Sequence, residues 1–156
     1  FNILNRTIVA NNLTPNIHTI NKALGDEDGR AILLVGADEV GGANLIDKSL
    51  CLSGKEDIFN ISEEVSMITL DKFIGENNIK KVDFIKIDAE GYEKQIIKGA
   101  REVIKKFSPV IACSAYHLKN DETEIPKLVL SINKNYNYRL ENRGEKDLIF
   151  WPKKQS

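Results

Sequence analysis

Cysteine is nearly absent: Cys51 and Cys113 are the only two in 156 residues. Two thiols give no disulfide framework and no metal-ligand spacing. Cys113 lies in an apolar run and reads as a small core residue. Such sparing use suits a reducing compartment, by default the cytoplasm. Long hydrophobic runs are missing too. No stretch approaches a membrane span, and no signal peptide is visible. Nor is there an excess of charge: 22 basic residues meet 23 acidic ones, for a net charge of −1. That balance argues against nucleic acid or a membrane surface as a partner. No G-x-G-x-x-G opens a helix, which disfavours a dinucleotide-dependent oxidoreductase. Gly41-Gly42 lacks the lysine and spacing of a P-loop. The length suits one domain with a real core. The chain starts at Phe1, inside what reads as a helix, and a fragment of a longer protein is expected.

What is present centres on Lys81–Phe107, KVDFIKIDAEGYEKQIIKGAREVIKKF. Val82 to Ile87 is short, β-branched and aromatic, as a buried strand should be. Asp88-Ala89-Glu90 and Gly91 follow. Ile96, Ile97, Ala100, Val103, Ile104 and Phe107 then mark one face of a single helix. The stretch is strand, acidic turn, helix. In open α/β sheets, ligands sit at the carboxyl ends of strands, where Asp88 and Glu90 lie. Phe84, Lys86 and Asp88 share one strand face, with Lys86 and Asp88 roughly 7 Å apart along it. A lysine in a core strand pairs with a carboxylate such as Asp88, or reaches into a ligand cleft.

The rest of the chain alternates strands and helices. Phe1–Asn12 reads as a helix, and Ile17–Ala23 as a strand. Asp28-Gly29 marks a turn before a returning strand, Ala31–Val35. Gly36–Gly54 is undecided. Asp57–Ile61 and Val65–Leu70 read as two short strands. Thr69 or Asp71 caps a helix running to about Asn78, with Phe73 and Ile74 inward. Pro109–Ala115 is a buried strand ending at Tyr116-His117. Asp121–Asn133 is a helix with Pro126 expected in its first turn. Tyr136–Leu140 and Asp147–Trp151 form a hairpin around Asn142-Arg143-Gly144. The alternation predicts α/β with a largely parallel sheet and an antiparallel edge at the hairpin. Residues 153–156 read as a solvated polar tail.

His117, at a strand end beside Asp88 and Glu90, is a candidate general base; the alternative is a packing histidine. His18 has no such support. Asp88 and Glu90 could be an acid/base pair or ligand acceptors. Two carboxylates alone are a weak metal signal, so no metal ligand is assigned and the metal requirement is left open by the sequence. Glu90 and Glu93 could also simply favour the positive end of the following helix. That account suits Glu93 but not Asp88, which is still on the strand. Tyr92 is expected to pack.

Thr69-Leu70-Asp71-Lys72-Phe73, Val82 to Glu93, Gly99-Ala100, Ser108-Pro109-Val110-Ile111 and Tyr116-His117 together resemble the FkbM family of S-adenosylmethionine-dependent methyltransferases. Asn21 to Asp26, Glu124-Ile125-Pro126 and the C-terminal strands resemble its flanking segments. The resemblance implies a Rossmann-like class I methyltransferase sheet, mostly parallel with a C-terminal antiparallel hairpin. It implies methyl transfer from S-adenosylmethionine to a hydroxyl of a sugar or other small metabolite. Ala23, Leu24 and Gly25 would lie near the adenine. Asp88, Ala89 and Glu90 would line the cleft near the methionine moiety and the acceptor. Asp88, His117 and Lys86 are the catalytic candidates. The family's glycine-rich loop and its first two strands would precede Phe1. Residues 1–152 would then be a partial domain with a gap in the sheet, exposed strand edges and exposed apolar surface.

The other functional class compatible with these residues is a non-catalytic binding or interaction module derived from such a domain. Oligomeric state and the methyl acceptor are left open by the sequence.

Overall fold

A computed structural model describes residues 1–36, 43–46, 59–142 and 144–154. Gly41-Gly42 and Cys51 lie outside the described residues. Helix α1 spans Asn2–Ala10, and only Ile8 on it is buried. The strand expected at Ile17–Ala23 shrinks to β1, Ala23–Leu24. Its alternation was imperfect, and Ile17 and Ile20 both face solvent, so no continuous apolar edge is offered to a sheet.

The first sheet has the order β1-β4-β2-β3, where β2 is Gly29–Gly36, β3 Ala43–Ile46 and β4 Phe59–Ile68. The two short strands expected near β4 are one ten-residue strand. Polar Ser62, Glu63 and Glu64 do not interrupt it, because they pair in register with Leu34, Leu33 and Ile32 of β2. Strand β1 joins β4 in parallel, with Ala23 opposite Met67.

Helix α2, Leu70–Glu76, is capped by Thr69, whose Oγ1 accepts from the Lys72 N–H at 3.2 Å. Asp71 caps a different helix. Its carboxylate accepts from the Glu102 N–H at 2.9 Å and the Val103 N–H at 2.8 Å. That helix is α4, Arg101–Phe107, and it is separate from α3, Glu93–Lys98. The single helix expected here therefore breaks at Gly99-Ala100. The apolar period runs through the break, so periodicity could not reveal it. Two outside groups hold it: Asp71 caps the new helix, and the Gly99 carbonyl accepts from the Asp71 N–H at 2.9 Å.

The second sheet has the order β5-β6-β8-β7. Here β5 is Phe84–Ile87, β6 Val110–Ser114, β7 Tyr136–Asn142 and β8 Lys146–Pro152. Strand β5 runs parallel to β6, while β8 runs antiparallel to both β6 and β7. The fold is mixed α/β. The mostly parallel single sheet expected from the sequence is replaced, among the described residues, by two mixed sheets in which antiparallel pairs predominate. Hydrophobic pattern specifies strands, but their direction follows from long-range pairing.

Helices α3, α4 and α5 (Asp121–Ile132) cover one face of the second sheet. Ile97, Ile104, Ile125 and Val129 pack there on Ile111, Cys113, Leu148 and Phe150. Each such side chain contributes about 1.5–3 kcal/mol through burial. Pro126 is the sixth residue of α5, not in its first turn. It therefore leaves the Glu122 carbonyl without its intrahelical N–H partner. On the opposite sheet face Ala112 and Ser114 are buried but the edge is exposed. Phe84 is 57% exposed, and β5 pairs on one side only among the described residues. Half of the expected buried strand thus faces outward.

Candidate active site

The acidic turn is set by backbone before chemistry. Ala89 accepts from the Tyr92 N–H at 3.0 Å, which tightens the chain after β5. Glu90 then takes φ 50° and Gly91 φ 100°. The left-handed residue at Glu90 costs about 1 kcal/mol. This conformation brings the Asp88 and Glu90 carboxylates to face the end of the neighbouring parallel strand β6.

His117 follows β6 and meets them. Its side chain is only 8% exposed. Nδ1 lies 2.8 Å from Glu93 Oε1. That oxygen also accepts from the Ala89 N–H at 2.9 Å. An oxygen already accepting one N–H makes Nδ1–H the donor in the second bond. Nε2 is then the open position, 3.3 Å from Glu90 Oε2 and 3.8 Å from Asp88 Oδ1. It has no well-formed hydrogen bond of its own.

The turn carrying His117 is fixed in its own right. Leu118 donates to Asp121 Oδ2 at 2.8 Å. Lys94 on α3 lies 3.0 Å from Asp121 Oδ1 and 2.7 Å from Glu124 Oε2, tying α3 to α5. Burial alone would lower the Lys94 ammonium. Hydrogen bonds to Glu124 and Asp121 outweigh it and hold the group above the ordinary lysine value.

Lys86 sits at the rim. Its Nζ is 3.0 Å from Ser114 Oγ and 3.1 Å from Asp147 Oδ1, and 3.8 Å from Asp88 Oδ2. Its nearest carboxylate is thus one from the hairpin. Tyr116 stands beside the site, its ring centroid 4.2 Å from that of His117. Its partial desolvation first, and then the Asp88 and Glu145 carboxylates, push the phenol above its ordinary value. Burial pushes the Cys113 thiol up, as suits an inert core residue.

The structure brings Asp88, Glu90 and His117 into one group, with Lys86 alongside. Glu93 is the participant that sequence reasoning assigned elsewhere. It read as a helix-end charge, yet it is 1% exposed and holds the His117 ring. No capping-box spacing marks it, because Glu93 is the first residue of α3 and not the third. Ala23, Leu24 and Gly25 lie at the junction of the two halves. A Cβ on Gly99 would sit 1.9 Å from the Gly25 carbonyl oxygen. Tyr92 Oη reaches Met67 Sδ at 3.9 Å, and Met67 in turn packs on Gly25. His18 is exposed and takes no part.

The methyltransferase FkbM domain matches residues 4–140. The chain belongs to the FkbM methyltransferase family. The crystal structure of methyltransferase FkbM from Methylobacillus flagellatus KT superposes with a TM-score of 0.64 at 23% identity. The match covers 96% of this chain and 32% of that one. The FkbM domain described here therefore spans about a third of that chain. Comparison with curated proteins gives no match.

Proposed function

We propose that the chain is part of an S-adenosylmethionine-dependent methyltransferase acting on a hydroxyl oxygen of a sugar or other small metabolite. The observation that carries this is the convergence of Asp88, Glu90 and His117 at the carboxyl ends of β5 and β6, in a chain of this family. Two features near the proposed residues support the cofactor reading. A mainly apolar hollow of about 360 Å³ is lined by Leu4, Ile20, Ala23, Leu33 and Val65, with Asn21 and Lys22; Ala23, one of the three residues proposed for adenine, is part of it. Asp88 and Glu90, with Ala89 between them, offer carboxylates to an ammonium group. Bound S-adenosylmethionine supplies the electrophilic methyl group.

The chain's own residues have three tasks. They hold the acceptor oxygen in line at about 3–3.5 Å from the reacting carbon. They take its proton, and they keep the ring that takes it in the right tautomer. His117 Nε2 or an Asp88 oxygen is placed to accept the proton. Glu93 fixes the His117 tautomer. Lys86 and Glu90 orient the acceptor. In this reading the protein works in the cytoplasm. Among the described residues no helix is long and apolar enough to cross a membrane.

The test is methyl transfer and cofactor calorimetry on Asp88→Asn and His117→Ala. Both are expected to lose transfer while circular dichroism shows the fold intact. Normal turnover in both rejects the assignment. The second reading, a binding module, is favoured by the one-sided β5 edge and exposed Phe84. It leads if the folded chain binds neither S-adenosylmethionine nor S-adenosylhomocysteine.

A further inference from the structure

We propose that Asp88, Glu90 and His117 form a binding site for a divalent transition-metal cation of the manganese or zinc type. One ligand atom from each residue lies within 4.8 Å of the other two. Two of the separations, 3.3 and 3.8 Å, converge on His117 Nε2. Neighbouring ligands around an ion with bonds of about 2.0–2.2 Å lie about 3 Å apart. Small rotations of the two exposed carboxylates close the set around one ion.

Acidic residues alone would not carry this, and the imidazole supplies the independent observation. The His117 side chain is 8% exposed, and its Nε2 has no hydrogen-bond partner. The Nδ1–H is committed to Glu93 Oε1 at 2.8 Å. The Nε2 edge points at two carboxylates, which accept and do not donate, so a ring without a proton there aims its lone pair at them. Three acceptors meet with no donor among them. A cation resolves that arrangement. A carboxylate bonded to the far nitrogen of a ligating histidine is the usual way such a ring is oriented and made more basic. Here Glu93 is itself fixed, by the Ala89 N–H at 2.9 Å.

The donor set also narrows the ion. Imidazole with two carboxylates suits manganese or zinc better than magnesium or calcium, which favour all-oxygen shells. Three protein ligands leave coordination positions open for a substrate oxygen. This deepens the methyl-transfer reading and rests on it only for the ion's use. An ion there would bind the acceptor hydroxyl and lower its pKa. His117 would then be a ligand, and the proton would pass to a free Asp88 oxygen or to solvent.

The experiment is titration of the whole chain with MnCl2, followed by calorimetry and by loss of the free-ion spin resonance signal. A parallel ZnCl2 titration follows the His117 ring nitrogens by NMR. Saturable one-to-one binding is expected, with the Nε2 resonance shifting and MgCl2 competing poorly. Asp88→Asn, Glu90→Gln and His117→Ala should each remove it. Glu93→Gln should weaken it about tenfold, and His18→Ala should leave it unchanged. No binding by the folded wild-type chain overturns the inference. So does binding kept by both Asp88→Asn and His117→Ala, or a His117 ring that stays doubly protonated throughout. S-adenosylmethionine binding is measured separately. If the cofactor binds and the metals do not, this inference fails and the methyl-transfer reading stands; the reverse outcome separates them the other way.

Discussion

The two sheets have four strands each, and among the residues whose burial is described they differ in what they bury. The second carries three helices on one face and nearly the whole apolar cluster, from Ile87 to Phe150. The first has Ala31, Met67 and Ile68 among its buried apolar residues, while α1 leaves Ile3, Leu4 and Val9 in solvent. The Asp88, Glu90 and His117 group sits on the second sheet's side, and the hollow proposed for adenine sits on the first sheet's side. Charged groups need fixed positions within fractions of an ångström, and packed elements supply that. A flat aromatic ring tolerates a looser wall.

The contrast can be broken most strongly in the core. Phe150→Ala, in a fully buried position, is expected to cost about 3–5 kcal/mol. Val9→Ala, at 64% exposure, should stay within about 0.5 kcal/mol. Urea unfolding of both reads the difference, and equal losses would show that α1 is as firmly packed as the second sheet.

The next effect lies at the joint between the halves. Gly99→Ala places a Cβ 1.9 Å from the Gly25 carbonyl oxygen, a backbone contact that no rotamer relieves. We expect a loss of about 3 kcal/mol, with hydrogen exchange accelerating around both Gly25 and α4. Wild-type stability in this variant would mean that the halves are not held together there.

The smallest effect sharpens the contrast at the surface. Asp28 is held below the ordinary aspartate value chiefly by its hydrogen bond to Lys72, then by the Thr69 N–H. The distances are 2.8 and 3.0 Å. A lowered carboxylate stabilises the folded state above the unfolded value of about 3.9, and loses that effect as pH falls through its folded value. Acid titration of stability should therefore show wild type and Asp28→Asn converging below about pH 4. Salt should narrow the gap, since the pair is exposed. A gap that persists at lower pH would assign the role to hydrogen bonding rather than charge.

Helices α1 and α5, strand β6 and the hairpin were legible because each carries its own local signal. The meeting of Asp88, Glu90 and His117 was legible from the rule that ligands gather at strand ends. What escaped was non-local. Asp71 looked like the cap of the helix it starts, yet it caps one thirty residues on. The break at Gly99 is invisible to a hydrophobic period that continues across it. Glu93 looked solvated because first-turn acids usually are. Strand direction in β4 and β8 depends on partners far away in the chain.

One pairing has a wider reach. Ser114 of β6 stands opposite Asp147 of β8, and Cys113 opposite Leu148. Side chains alternate along β8, so the pleat that sends Leu148 and Phe150 into the core delivers Asp147 to Lys86. A slip of one residue would swap that carboxylate for an isobutyl group and turn two core side chains into water. The oil beneath the sheet thus fixes which positions of β8 face the ionic side, while the residue at 147 alone decides what charge is delivered there.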